Sequence, residues 1–278
     1  MGKPYLSHTQ ISMGLRCGEQ YRRRYIEGER LPPGLAMARG TGVHKGIAAN
    51  FSQKINSHRD MKRSDIIAAS VSAFEDTIRD GLTLTDAEKS IAIHISIGET
   101  VDVVAEMADV FAVHVAPHYQ PTFVEERIRI VFPQAPRDLI AVIDVGTDTQ
   151  VVDVKTSKRE KKRTDILHDR QLTIYDLAYE VREGRSPESV VFETLVIKPS
   201  GIHHQKLVGQ RTKDDRDALG RTINEFSRML AAGIFLPANP ATDWWCSPDY
   251  CGYWRTCPYV NSQAATPTSL NPKKRKKR

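Results

Sequence analysis

The chain lacks any apolar run near the roughly 18 residues that a membrane-spanning helix requires, so no helical membrane span is predicted. Its opening residues, MGKPYLSHTQ, lack the apolar core of a secretory leader, and the expectation is a cytoplasmic protein. No G-x-x-x-x-G-K-[ST] run occurs, which argues against a built-in P-loop ATPase. There is no internal repeat. Aromatic residues make up only 7% of the chain, and cysteine occurs 4 times. What is present, 278 residues of which 40% are hydrophobic and 27% charged, suits a globular protein able to bury a sizeable core.

Excess charge is also missing once the C-terminus is set aside. The formal net charge is +6, and the six basic residues of Lys273 to Arg278 (KKRKKR) account for all of it. The preceding SQAATPTSLNP is rich in small polar residues and proline, so 262–278 reads as a disordered basic tail. Such a tail is a solvated end, a DNA tether or a nuclear-localisation-like signal.

Along the body, Ser7 to Glu27 reads as one or two helices opened by a Ser or Thr cap and broken near Gly18. LPPGLAMARG reads as a loop. Helices are predicted over Thr41–Lys54, Ser64–Arg79 and about Thr85–His114, the last with Ile91, Ile95, Val101, Val104 and Ala108 at near-helical spacing. The pattern changes at Pro121. FVEERIRIVF, DLIAVIDV and QVVDVKT read as three strands; a helix follows over about His168–Glu183, then strands in SVVFETLVIKP and HHQKLVG, then a helix over Lys213–Ala231. That order predicts an α/β fold, a mixed sheet flanked by helices with a mostly helical N-terminal part. The expected organisation is one domain over residues 1–261: a cysteine arm (1–30), a helical part (31–120), a sheet core (121–210), and a C-terminal helix with a cysteine cluster (211–261).

The stretch AVIDVGTDTQVVDVKTSK, Ala141 to Lys158, sets acids into a buried hairpin. A turn centred between Asp148 and Thr149 places Asp144 directly opposite Asp153 on one face, with β-carbons about 4.5 to 5.5 Å apart. Like charges so placed repel. Lys155 shares the face of Asp153, while Val152 and Val154 point the other way into the core. A divalent cation resolves the conflict, because paired carboxylates suit Mg²⁺ or Mn²⁺, which bind phosphate oxygens readily. Water activation by the cation, with Lys155 orienting the nucleophile or stabilising charge, is hydrolytic nuclease chemistry. The D-x-K triplet by itself carries little, since Asp60–Met61–Lys62 and Glu160–Lys161–Lys162 are similar triplets read as surface charge. The strand context and the second acid give it weight.

Four motifs stand in order between about Leu6 and Pro258: GTGVH (Gly40 to His44), VIDV (Asp144), DVKTSK (Asp153 to Lys158) and QLTIY (Gln171 to Tyr175). Together they resemble the RecB-like branch of the PD-(D/E)xK nucleases, which includes the nuclease domains of RecB and AddB and the CRISPR-associated exonucleases. The resemblance implies that His44, Asp144, Asp153 and the backbone carbonyl of Val154 hold the metal, and that Asp144, Asp153, Lys155, Gln171 and Tyr175 form the catalytic set. Gly40 and His44 share a helical face, as do Gln171 and Tyr175, and a glycine lets its helix approach a neighbour. Taken alone, His44 reads as a structural histidine. Glu125 or Glu126 offers a further carboxylate, and the sequence does not choose.

Cys17 stands alone near the start, while Cys246, Cys251 and Cys257 crowd near the end. In a reducing compartment that pattern favours a metal or iron-sulfur site over disulfides. RCGEQYRRRYI and CSPDYCGYWRTCPY resemble the cysteine segments of an iron-sulfur subset of the same branch, which implies a 4Fe-4S cluster joining the chain ends. Cys246 and Cys251 are separated by four residues where that subset more often has two, and all-thiolate ligation suits zinc as well. Trp244, Trp245 and Trp254 are expected to shield the group or to stack on unpaired bases. The basic side chains of KTSKREKKR beyond Lys155 suit phosphate contacts or a solvated loop. The resemblance implies a metal-dependent DNA exonuclease acting on single-stranded or frayed DNA in recombination, repair or phage DNA metabolism. It would work as a homo-oligomer, alone, or with a separate helicase or recombination protein. A catalytically silent or redox-regulated iron-sulfur DNA-binding scaffold and a CRISPR adaptation nuclease are the alternatives.

Overall fold

Proline and glycine decide where the first long helix begins in the computed structural model, which describes residues 5–89, 91–132 and 137–260. The tail expected over 262–278 lies outside them. Before the first long helix come a short strand β1 (Tyr5–Ser7), α1 (His8–Arg16), α2 (Gly18–Tyr21) and a π-helical turn at Arg22–Glu27. Ser7 caps α1 as anticipated, its side chain accepting from Gln10 N–H. After Pro32, Pro33 and Gly34, the helix formers Leu35 to Arg39 start α3 (Leu35–Ser57), so LAMARG is helix rather than loop. The chain then forms α4 (Arg63–Ile78), α5 (Asp86–Lys89) and α6 (Ile93–His114). The single helix expected over about Thr85–His114 is thus two, and Ile91 and Ile95 are exposed rather than packed, while Val104 and Ala108 are buried. No helix among the described residues is long and apolar enough to cross a membrane.

The remaining elements are β2 (Phe123–Ile130), β3 (Asp138–Gly146), β4 (Gln150–Ser157), α7 (Arg163–His168), α8 (Arg170–Glu183), β5 (Ser189–Lys198), β6 (Gly201–Gly209) and α9 (Lys213–Ala231). The helix predicted over His168–Glu183 is interrupted at Asp169, which leaves α7 and caps α8 by accepting from Leu172 N–H. Six strands make one mixed sheet with helices on both faces, the α/β architecture expected. On one face, α3, α4 and α6 pack Val43, Phe51, Phe74 and Phe111 against Val145, Val152, Val154 and Val191. On the other, α1, α8 and α9 pack Ile11, Tyr175, Tyr179 and Phe226 against Ile143, Val151, Val190 and Phe192. Both faces are therefore apolar, and the acids of β3 and β4 are not on an open side.

The sheet is forked at β3. Along one edge β3 pairs antiparallel with β2. Along the other it is shared between two strands: β1 runs parallel at Asp138 to Ile140, and β4 pairs antiparallel only at Val145↔Val152 and Gly146↔Val151. That register is the one anticipated, and Asp144 and Asp153 are the first residues beyond the ladder, where β4 diverges. Across the other edge, the register sets Glu125 opposite Asp144, and Glu125 has φ +47°, a left-handed backbone that a side chain disfavours. The alternation of core-facing residues changes phase there on both strands. Val124 and Val145 pack toward α3 and α6, whereas Ile128 and Ile143 pack toward α8.

The two chain ends meet at Gly18. Its N–H donates to Leu236 O at 2.6 Å, and a β-carbon added there would lie 2.5 Å from the backbone carbon of Phe235. Backbone cannot yield as a side-chain tip can. Gly18→Ala is expected to destabilise the protein by about 1–3 kcal/mol through overpacking, measured as a lower denaturation midpoint with an unchanged slope.

Candidate active site

The fork is what lets residues from both layers reach one place. Asp144 Oδ2 accepts from Val154 N–H at 3.2 Å and lies 3.4 Å from His44 Nδ1, which comes from α3 on one side of the sheet. Asp144 Oδ1 accepts from Tyr175 OH at 3.2 Å, which comes from α8 on the other. Gly40 is the close approach that brings α3 in, since a β-carbon added there would sit 3.4 Å from Thr156 Oγ1 on β4.

Asp153 is wholly buried and Lys155 reaches it from two residues on. Lys155 Nζ donates to Asp153 Oδ1 at 2.9 Å and to Gln171 Oε1 at 2.7 Å. Gln171 Nε2 in turn donates to Tyr175 OH at 2.9 Å. The four-residue spacing of Gln171 and Tyr175 on α8 thus builds a continuous hydrogen-bonded path from Lys155 to Asp144. Gln171→Ala is expected to lower catalysis about 10- to 100-fold by releasing Lys155 and Tyr175, with little change in melting temperature.

Electrostatics follow from burial. Desolvation pushes the Asp153 carboxyl up to about 7, against the pull of Lys155 and with a further push from Asp144. Burial opposes the Lys155 ammonium, yet Asp153 and Asp144 together hold its pKa above the ordinary value. The lysine is a charged donor at neutral pH, not a base. Tyr175 is held well above its usual range by burial, then by Asp144 and Asp153, so it stays a neutral hydroxyl.

All the anticipated residues except one meet here with their side chains. Val154 takes part through its amide, which donates to Asp144. Two carboxylates suit a hard divalent cation, and Asp153 Oδ2 is buried with the Lys155 ammonium 2.8 Å away as its ion-pair partner. Among the described residues no group of three or more His, Cys, Asp or Glu side chains is gathered as a ready metal cage.

Two neighbours, Asp169 and His8, escaped the sequence reading, and a third, Glu125, is one of the two carboxylates it left open. Asp169, the cap of α8, raises the pKa of Asp153 and of Lys155 by its charge. A capping Asp before QLTIY was the available signal. His8, delivered to the fork by β1, has its imidazole pushed down to about 4 by burial, opposed by Asp169 and aided by Lys155 and Arg170; nothing in its local sequence marks it. Glu125 occupies the strained position opposite Asp144 and pairs with Lys45 at 2.7 Å. Glu126 instead pairs with Arg182 at 2.9 Å, on α8.

The four cysteines line one small cavity of about 10 Å³, with Gln20, Ala238 and Trp254 among its other walls. All four are free thiols, and Cys17, Cys246 and Cys251 are buried. Gln20 Nε2 donates to Cys251 Sγ at 3.2 Å, and Ala238 N–H to Cys17 Sγ at 3.4 Å. All-thiolate ligation is the chemistry of an iron-sulfur cluster or zinc, and none of the four is in a disulfide, although among the described residues they are not gathered closely enough to form a ready metal site. Trp245 and Trp254 pack against Cys17 and Cys246 as expected, whereas Trp244 is 67% exposed and meets Tyr250 edge-on at 4.8 Å instead.

The profile of the PD-(D/E)XK nuclease superfamily matches residues 5–258. A solved structure from Eubacterium rectale, named as a candidate exonuclease, is similar over 91% of this chain and 88% of that one, with a TM-score of 0.54 at 10% identity, a likeness of fold. Another, SSO0001, covers 91% of this chain and 96% of that one at 13% identity, with a TM-score of 0.35, too low to speak for a shared fold. No curated protein matches.

Proposed function

This chain belongs to the PD-(D/E)XK nuclease superfamily, and from that premise we propose that it is a divalent-metal-dependent deoxyribonuclease, an exonuclease acting on single-stranded or frayed DNA in recombination, repair or phage DNA metabolism. The observation that carries the reading is the meeting of Asp144 and Asp153 at the fork, with the Asp153 carboxylate wholly buried and a charged lysine beside it. Asp144 and Asp153, with His44 and the Val154 backbone, are the proposed holders of Mg²⁺ or Mn²⁺. When bound, the ion supplies a Lewis acid and an activated water. Lys155 donates to the negative charge that develops on the phosphate oxygens or orients the attacking water. Gln171 fixes the ammonium, and Tyr175 fixes Asp144.

For the cysteine cavity the proposal is a 4Fe-4S cluster, with zinc as the alternative that the same thiols would take. A broad visible absorbance that bleaches on reduction supports the cluster; a colourless protein containing stoichiometric zinc supports the alternative. A separate helicase or recombination protein would supply the ATP-driven unwinding that a chain without a P-loop lacks, and the chain itself would work alone or as a homo-oligomer.

The test is degradation of end-labelled linear single-stranded DNA, linear duplex and circular single-stranded DNA with Mg²⁺ or Mn²⁺ and with chelator. Loss of the linear single strand, sparing of the circle and silence in chelator are expected. No metal-dependent cleavage of any of them overturns the proposal, and cutting of the circle replaces exonuclease with endonuclease.

A further inference from the structure

A cleft of about 1210 Å³ opens between the start of α3, the cysteine segment and the end of β4. We propose that it holds the substrate strand by its phosphates, with Arg39 as the phosphate clamp nearest the scissile bond, and with Tyr250 at the rim as a stacking surface for a base. The proposal rests on the nuclease reading above and adds to it where the strand lies and which side chains grip it.

Arg39 is the leading observation. Its Nε is buried, and among the described residues it has no hydrogen-bond partner. Among the described residues no ion pair or side-chain hydrogen bond forms to the rest of its guanidinium either. Other arginines sunk in this protein are satisfied: Arg23 by Glu19 and Thr256, Arg216 by Asp176 and Glu180, Arg211 by Thr173 and the carbonyl of Ile166. A half-buried guanidinium without a partner is costly to the fold and is suited to an anion arriving from outside. Burial lowers its pKa, as that isolation requires.

The surroundings point the same way. Among the described residues, Arg24, Arg39, Lys89, Lys158 and Arg255 line the cleft with two acids, Glu88 and Asp249. The first turn of α3 forms part of the wall and carries neither a side-chain cap nor an acidic residue, so its amide N–H groups add to the positive field. Position ties the cleft to the chemistry. Thr156 and Ser157, which follow Lys155 on β4, and Lys158 just past the strand end line it, and Gly40 holds α3 against Thr156 so that Arg39 stands beside that strand end. Tyr250 is 67% exposed and lines the same cleft, braced by Trp244. A basic groove with an exposed ring suits a single strand, whose bases are free to stack. The ligand chemistry is a nucleic-acid phosphate, either an internal diester or a terminal monoester.

The experiment measures binding of a fluorescent oligothymidylate by anisotropy across a salt series, without added divalent cation, together with KM for strand degradation in Mn²⁺. Arg39→Met is expected to weaken binding about tenfold, to reduce the salt slope by about one ion, and to raise KM. Tyr250→Ala is expected to weaken binding about 5- to 100-fold without altering the slope. Arg39→Lys should recover part of the loss. Melting of Arg39→Met at or above the wild-type temperature supports a clamp, since a structural arginine would lower it. Unchanged affinity, slope and KM in Arg39→Met overturn the proposal. Oligonucleotides with a 5′-phosphate, a 5′-hydroxyl and no ends distinguish the two phosphate sources: an effect confined to the phosphorylated end assigns a monoester, and an effect on all three assigns the diester. Failure of the wild type to cleave DNA is the separate failure of the nuclease reading, visible in the Mn²⁺ arm alone.

Discussion

Asp153→Asn is expected to lower metal-dependent DNA cleavage by about 10²–10³-fold or more while removing a pH dependence from the stability of the metal-free protein. The two effects share one cause. Asp153 is wholly buried, and desolvation raises its carboxyl from the ordinary carboxylate range to about 7, against Lys155 and with Asp144. The folded state therefore holds this proton more tightly than the unfolded chain does. The stabilising contribution is fully present below about pH 4 and is lost as pH rises toward 7. Asparagine keeps the shape of the neutral acid and has no proton to lose. Thermal melts from pH 4 to 8 without metal should show the wild type declining across that window relative to the variant. Added Mn²⁺ at pH 8 should restore the wild type alone. Parallel melting curves at every pH would remove the electrostatic account of the fork.

Cys17→Ser is expected to lower the melting temperature by roughly 10 °C or more, while the fraction that remains folded keeps near-normal activity. Cys17 sits between α1 and α2, is 7% exposed, and accepts from Ala238 N–H through its sulfur. The adjoining Gly18 binds Leu236 O, so this one joint docks the C-terminal segment onto the N-terminal arm. Serine is smaller and a poor ligand for iron or zinc. Any group held by the four thiols would be released with its binding energy. Scanning calorimetry together with metal analysis measures the effect, and a shift below about 2 °C with full metal content would show that Cys17 neither ligates nor staples.

Much of the core was legible because β-strand alternation and helix periodicity are local. The Asp144–Asp153 register followed from the turn and holds in the observed pairing of Val145 with Val152. The spacing of Gln171 and Tyr175 anticipated a shared face, and the two side chains hydrogen-bond. What was hidden depended on non-local packing. Alternation put Asp153 on one face with Asp144 and Lys155 but did not show that α8 covers that side with Tyr175 and Leu172, which is why the carboxyl is desolvated. The fork arises because β1 takes the edge that β4 leaves, and three residues, Tyr5 to Ser7, are too few to read as a strand. His8 enters the site only as a consequence of that pairing. Arg39 fell inside a segment read as loop, because Pro32, Pro33 and Gly34 made the punctuation look longer than it is. That its Nε has no partner among the described residues is visible only in the packed structure.

The central claim is that Asp144 and Asp153 share a divalent cation. Titration of the protein with Mn²⁺, read by electron paramagnetic resonance of the free ion, tests it most directly. The account predicts a site in the wild type that disappears in Asp153→Asn and in Asp144→Asn, with both variants still folded. Equal Mn²⁺ binding by all three proteins would contradict it.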